Sequence, residues 1–142
     1  WPSTLIAIGL AAFASWVIVA RLLFSERATR FIISAAGLVL ALHTAYILLF
    51  NQSLGVAIAN YLPATFFLLI AFAVTYRRRR DGFLMAGIWG LVLSFIAAAI
   101  QQIGIGLHPL YFNHNALYHL IQAIGLFLLF WTARGLIKAP AM

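Results

Sequence analysis

The sequence predicts an all-α, polytopic transmembrane helical bundle, and three observations carry that expectation. Of 142 residues, 65% are hydrophobic and 8% charged, and the mean hydropathy is +1.07. A soluble domain carries about 25% charged residues, so this chain lacks the means to cover itself with a water-facing surface. The apolar residues form five runs, each long enough for a hydrocarbon core of roughly 30 Å. All nine Lys and Arg residues lie in polar segments near the end of the first run or after the third and fifth. That segregation is what membrane orientation produces, and it accounts for the net charge of +7 without nucleic acid as a partner.

Residues 1–142 read as one transmembrane domain. The first span covers about 3–24, with Ala7, Ala11 and Ser15 as a row of small residues that invites contact with another helix. Arg21, Glu26, Arg27 and Arg30 mark a polar turn. The second span, about 28–50, offers Gly37, Ala41 and Ala45 as its small face and places His43 inside the membrane. After the uncharged turn Asn51-Gln52-Ser53, the third span covers about 54–76. Its Pro63 removes a backbone donor in a stretch that also holds Asn60 and Tyr61. Arg77 to Arg80 and Asp81 form the least ambiguous loop. The fourth span, about 82–106, has Gly90, Ser94, Ala97 and Gln101 on one face. A loop with Gly104, Gly106, His108 and Pro109 leads to the fifth span, about 114–132.

By the positive-inside rule the basic ends are cytoplasmic and the N-terminus lies outside, in a plasma membrane or bacterial inner membrane. Membrane lipid is then the expected partner. The same orientation collects His43, Asn60, Tyr61, Gln101, Gln102, His108, His114, Asn115, His119 and Gln122 in the outer half, as if four helices shared one outward-facing polar cavity. Polar groups within a bilayer usually face a bundle interior, and ionisable ones are functional candidates.

The densest polar stretch is Tyr111 to Gly125. Asn113 is placed to cap the fifth helix by accepting from its first-turn N–H groups, with Phe112 and Leu117 in the positions of a hydrophobic staple. Asn115, His119, Gln122 and Leu126 share one face, whereas His114 points about 140° away from His119. A catalytic zinc asks for three protein ligands and an open position. His119 and His43 are candidates, with His114 as a third. Asn115, Tyr118, Gln122, Gln101 and Asn60 are candidates for the surrounding pocket. The alternatives are a polar stripe that serves helix packing or small-lipid binding, and a bis-histidine haem site at His43 and His119. With no cysteine, thiolate chemistry and disulfides are excluded. The two carboxylates, Glu26 and Asp81, both fall on the basic side, so neither serves as a general base in the polar half.

The segment HPLYFNHNALYHLIQAIGLFLLF resembles the last helix of a group of seven-helix membrane proteins. That group is in turn similar to the superfamily of alkaline ceramidases and progestin/adipoQ receptors, often called CREST. The resemblance implies metal-dependent hydrolysis of a lipid amide or ester, with zinc held by one histidine from an early helix and two from the last. The family's last-helix H-x3-H aligns with Asn115 to His119. His119 fits the second ligand, Tyr118 the aromatic before it, and Asn115 stands where the first histidine would be. The resemblance also implies that these five spans are the last five of seven, and thus an N-terminally truncated copy.

Overall fold

A computed structural model of the chain describes residues 1–108 and 111–138. Pro109, expected in the loop before the fifth span, and the last residues of the expected 1–142 domain lie outside the described residues. Five helices follow in order: α1 (Pro2–Leu23), α2 (Glu26–Leu49), α3 (Leu54–Arg79), α4 (Gly82–Ile103) and α5 (His114–Lys138). Each is long and apolar enough to cross a membrane, and the chain is an integral, multi-pass membrane protein. No strand forms among the described residues; an isolated bridge pairs His108 with Phe112.

Helix ends follow from local chemistry. α4 stops at Ile103, short of the expected residue 106, because Gly104 adopts the left-handed conformation (φ 78°) that closes a helix. The N–H of Gly104 then donates to the Ile100 carbonyl at 2.9 Å. The α1–α2 turn is clipped by the Thr29 hydroxyl, which donates to the Ala20 carbonyl at 3.0 Å. Asn113 caps α5 as expected: its Oδ1 accepts from the N–H of Ala116 at 3.1 Å. Pro63 sits inside α3 without ending it, and Thr65 Oγ1 donates to the carbonyls of Leu62 (3.0 Å) and Tyr61 (3.1 Å) on that turn.

The chain divides into two compact units, Trp1–Ala71 and the part from Phe72 onward, with the boundary inside α3. In the first unit α1 and α2 run antiparallel, and Leu5, Ile47 and Ala57 form a fully buried cluster, one residue from each helix. Of the small-residue rows expected to face another helix, Ser15 is buried and Gly37 half-buried. Ala7 and Ala11 are exposed on α1, as are Ala41 and Ala45 on α2. The buried positions are Leu5, Gly9, Ala12, Ser15, Val19 and Ala20 on α1 and Ala36, His43 and Ile47 on α2. The reason is steric: Gly9 provides the notch that a ring on α2 needs, and the helix turns to present it.

In the second unit α4 and α5 are antiparallel and approach backbone to backbone. A Cβ built on Gly90 would lie 2.8 Å from the Gly125 carbonyl oxygen, and one on Gly125 2.9 Å from that of Gly90. Thr132 is buried and its Oγ1 lies 2.8 Å from the Phe83 carbonyl on α4 and 2.9 Å from the Leu128 carbonyl. Gly87 leaves room for the Phe72 ring and the Thr132 methyl. Helix association in lipid rests on such close packing, since lipid tails are as apolar as leucine. The Arg and Lys residues gather at one end of each unit: Arg21, Arg27 and Arg30 in the first, and Arg77–Arg80, Arg134 and Lys138 in the second.

Candidate functional site

Histidine 43 is the one buried ionisable side chain among the described residues, 7% exposed. Its Nε2 lies 3.2 Å from the Leu5 carbonyl oxygen on α1. A carbonyl only accepts, so Nε2 carries the hydrogen and donates. In the neutral ring Nδ1 is left with a lone pair, and it makes no hydrogen bond among the described residues. Gly9 makes this seat possible: a Cβ there would stand 2.7 Å from His43 Cδ2 and 3.2 Å from Nε2. His43 is thus both a tether between α1 and α2 and a fixed acceptor.

The same side chain lines a groove of about 370 Å³ whose other walls are Val39, Leu42, Tyr46, Val56 and Asn60. The groove belongs wholly to the first unit, on α2 and the start of α3. No charged side chain lines it. Its polar functions are the His43 ring, the Asn60 amide and the Tyr46 hydroxyl, set among aliphatic walls. An apolar concavity with a few polar groups is the usual form of a small-molecule site. Asn60, expected as a pocket residue, lines this groove; Tyr46 carried no such expectation, since its ring stacks on Phe50 one turn away (centroids 5.7 Å) and reads as ordinary helix surface.

The remaining expected site residues belong to the second unit. Within it, Asn115 and His119 are exposed and Gln122 is half-buried. The side of α5 turned to α4 is instead the row that buries Gly125 and Thr132. Because Leu126 on the polar stripe is one residue beyond Gly125, the stripe stands about 100° around the helix from the packing row. Tyr118 lies on the packing row, seven residues before Gly125, and its ring meets that of His119 edge-on at 4.8 Å. His114 is the first residue of α5, half-buried where the chain passes Gly106. His108 Nδ1 accepts from the N–H of Tyr111 at 3.2 Å, and the two rings lie 4.9 Å apart. The Oε1 of Gln101 is buried without a hydrogen-bond partner among the described residues.

As a metal ligand, His43 has the arrangement such residues commonly show, one ring N–H held by a backbone carbonyl and the other nitrogen open. Among the described residues no group of three or more His, Cys, Asp or Glu side chains is placed to hold a metal ion. Of the three expected zinc ligands, His43 alone has a ring N–H held by a backbone carbonyl among the described residues.

One protein family, described as a family of unknown function (DUF6962), matches residues 1–138. No curated protein and no solved structure matches the chain.

Proposed function

We propose, for a chain that belongs to the DUF6962 family of unknown function, that this membrane protein binds a small neutral amphiphile in the α2–α3 groove. The observation that supports this reading is the hydrogen bond between His43 Nε2 and the Leu5 carbonyl oxygen at 3.2 Å. With Nε2–H committed to Leu5, Nδ1 remains as an acceptor suited to a hydroxyl, and the Asn60 amide adds a donor and an acceptor beside it. The absence of charge in the lining favours an uncharged head group. About 370 Å³ accommodates a head group and the first carbons of a chain, and the chain itself would continue into lipid. By the positive-inside rule the α2–α3 turn, which carries no charge, faces outward and the basic ends face the cytoplasm; the groove would then open to the outer leaflet.

The test uses purified protein in detergent, a photoreactive long-chain alcohol as probe, and the variant Asn60→Leu, which leaves the His43 tether in place. Labelling that maps to α2 and α3 and falls about tenfold in the variant is expected, since tenfold corresponds to about 1.4 kcal/mol, the size of one or two polar contacts. Equal labelling of both proteins would sink the reading.

A second reading, zinc-dependent hydrolysis of a lipid amide or ester, is favoured by the open Nδ1 of His43 alone. His43 would be a ligand, and zinc would supply Lewis acidity there. Its test is elemental analysis: near one zinc per chain, lost in His43→Ala, supports it, and no zinc in either protein removes it.

A further inference from the structure

We infer that the C-terminal turns of α5 form a separate binding site for an anionic phospholipid, with Arg134 and Lys138 on the phosphate and the acyl chain against Phe127, Phe130 and Trp131. A concavity of about 410 Å³ lies on this helix, lined by those five residues and Gly135. Arg134 and Lys138 are one turn apart and so stand on the same face. The Arg134 guanidinium sits 5.8 Å from the centre of the Phe130 ring, which positions it without a hydrogen-bonding partner. Among the described residues neither cation is paired with a carboxylate, and the two acidic side chains of the sequence are Glu26 and Asp81. Gly135 lies against the Phe83 ring of α4, while Arg134 and Lys138 are both exposed.

The chemistry of the occupant follows from these facts. Two unneutralised cations ask for an anion with several acceptor oxygens, and guanidinium matches phosphate in shape and donor geometry. Three aromatic side chains directly on the membrane side of those cations, exposed at Phe127 (60%), Phe130 (58%) and Trp131 (58%), ask for an apolar tail. A tryptophan beside basic residues at a helix end is also the usual arrangement at a membrane interface. A free phosphate satisfies the cations and leaves the aromatic face unused; an anionic phospholipid satisfies both. This site lies at the basic end of its unit, whereas the His43 groove lies towards the uncharged turn of the other, so the inference does not depend on the proposed function.

The experiment reconstitutes the full chain in nanodiscs of phosphatidylcholine with a titrated fraction of phosphatidylglycerol, and reads the retained lipid by native mass spectrometry. The variants are Arg134→Gln, Lys138→Gln, the pair together, and Arg77→Gln/Arg78→Gln as a control that removes two charges from the same end. Each charge near an anionic surface contributes enough for roughly a fivefold change in affinity, so about 25-fold is expected for the Arg134/Lys138 pair. Quenching of tryptophan fluorescence by phosphatidylglycerol with brominated tails should fall when Trp131 is replaced by Phe. An equal loss in the Arg77/Arg78 control would show a diffuse basic surface and overturn the site. Full competition by glycerol phosphate would show an anion site without lipid selectivity and overturn it too. Unchanged folding of the variants, read by circular dichroism, is expected at these exposed positions.

Discussion

Replacing Gly9 with alanine tests whether the His43 seat holds α1 against α2. The added methyl would lie 2.7 Å from His43 Cδ2 and 3.3 Å from Leu40 Cδ1, against an ordinary carbon–carbon contact of about 3.5–4.0 Å. The ring or the helix must therefore retreat by roughly 1 Å, which lengthens the 3.2 Å bond to Leu5 beyond hydrogen-bonding range. Overpacking of this kind costs about 1–3 kcal/mol, and the lost interhelical bond adds about 0.6 kcal/mol. The better helix propensity of alanine returns at most about 1 kcal/mol, leaving a net loss on the order of 1–3 kcal/mol. His43→Ala also destabilises, by removing the bond and leaving the notch empty. In the double variant Gly9→Ala/His43→Ala the new methyl occupies space the ring has vacated, so its loss should be smaller than the sum by about 1 kcal/mol or more. The assay is reversible unfolding in mixed micelles, followed by tryptophan fluorescence and read as a double-mutant cycle. Additivity within about 0.3–0.5 kcal/mol would refute the seat, because uncoupled sites behave that way.

Other substitutions follow from the same geometry. Gly125→Ala sets a methyl 2.9 Å from a backbone oxygen that no rotamer change can move, so α4 and α5 must separate; a loss of about 1–3 kcal/mol is expected in the same unfolding assay. Thr132→Val keeps the shape and removes the bond to Phe83, with an expected loss of about 0.6 kcal/mol and no more than about 1.7. Asn113→Ala deletes the cap on α5 and should cost about 1 kcal/mol, seen first as faster amide exchange at residues 114–116. His119→Ala, at an exposed position, should change stability by less than about 0.5 kcal/mol; a larger loss would mean that this ring packs against another part of the molecule.

The number, order and approximate limits of the spans were legible because the signal is additive: some twenty apolar residues in a row need no knowledge of their neighbours. The cap at Asn113 was legible for a similar reason, since it acts on an N–H three residues away. The stop at Gly104 was not, and the fourth span was expected to run on to about 106. Which face of each helix is buried was harder to read. Ala7-Ala11-Ser15 and Gly9-Ala12 are both runs of small residues on α1, about 130° apart around the helix, and composition does not rank them. The choice is made by His43, thirty-four residues further on, whose ring fits only opposite a missing Cβ. Such a pairing between a notch and a ring is a property of two helices together and leaves no periodic trace in either.

The same reasoning explains the fate of the polar stripe. Asn115, His119 and Gln122 form a regular row, and a regular polar row on an apolar helix predicts a buried seam. In the α4–α5 pair that seam is taken by Gly125, whose lack of a side chain lets the two backbones meet, and polar side chains of ordinary length do not fit there. Close approach at glycine and burial of a polar stripe are competing uses of one helix face, and here the glycine row prevails against α4. His43 escapes that competition because a glycine on the facing helix makes room for it. A histidine opposite a glycine, with its N–H on a helix carbonyl, can be both a packing element and a binding element. If it is both, amphiphile binding and the α1–α2 contact are linked: Gly9→Ala should weaken labelling by the photoreactive alcohol even though Gly9 does not line the groove. Loss of stability in Gly9→Ala with labelling unchanged would separate the two roles and leave His43 as a packing residue alone.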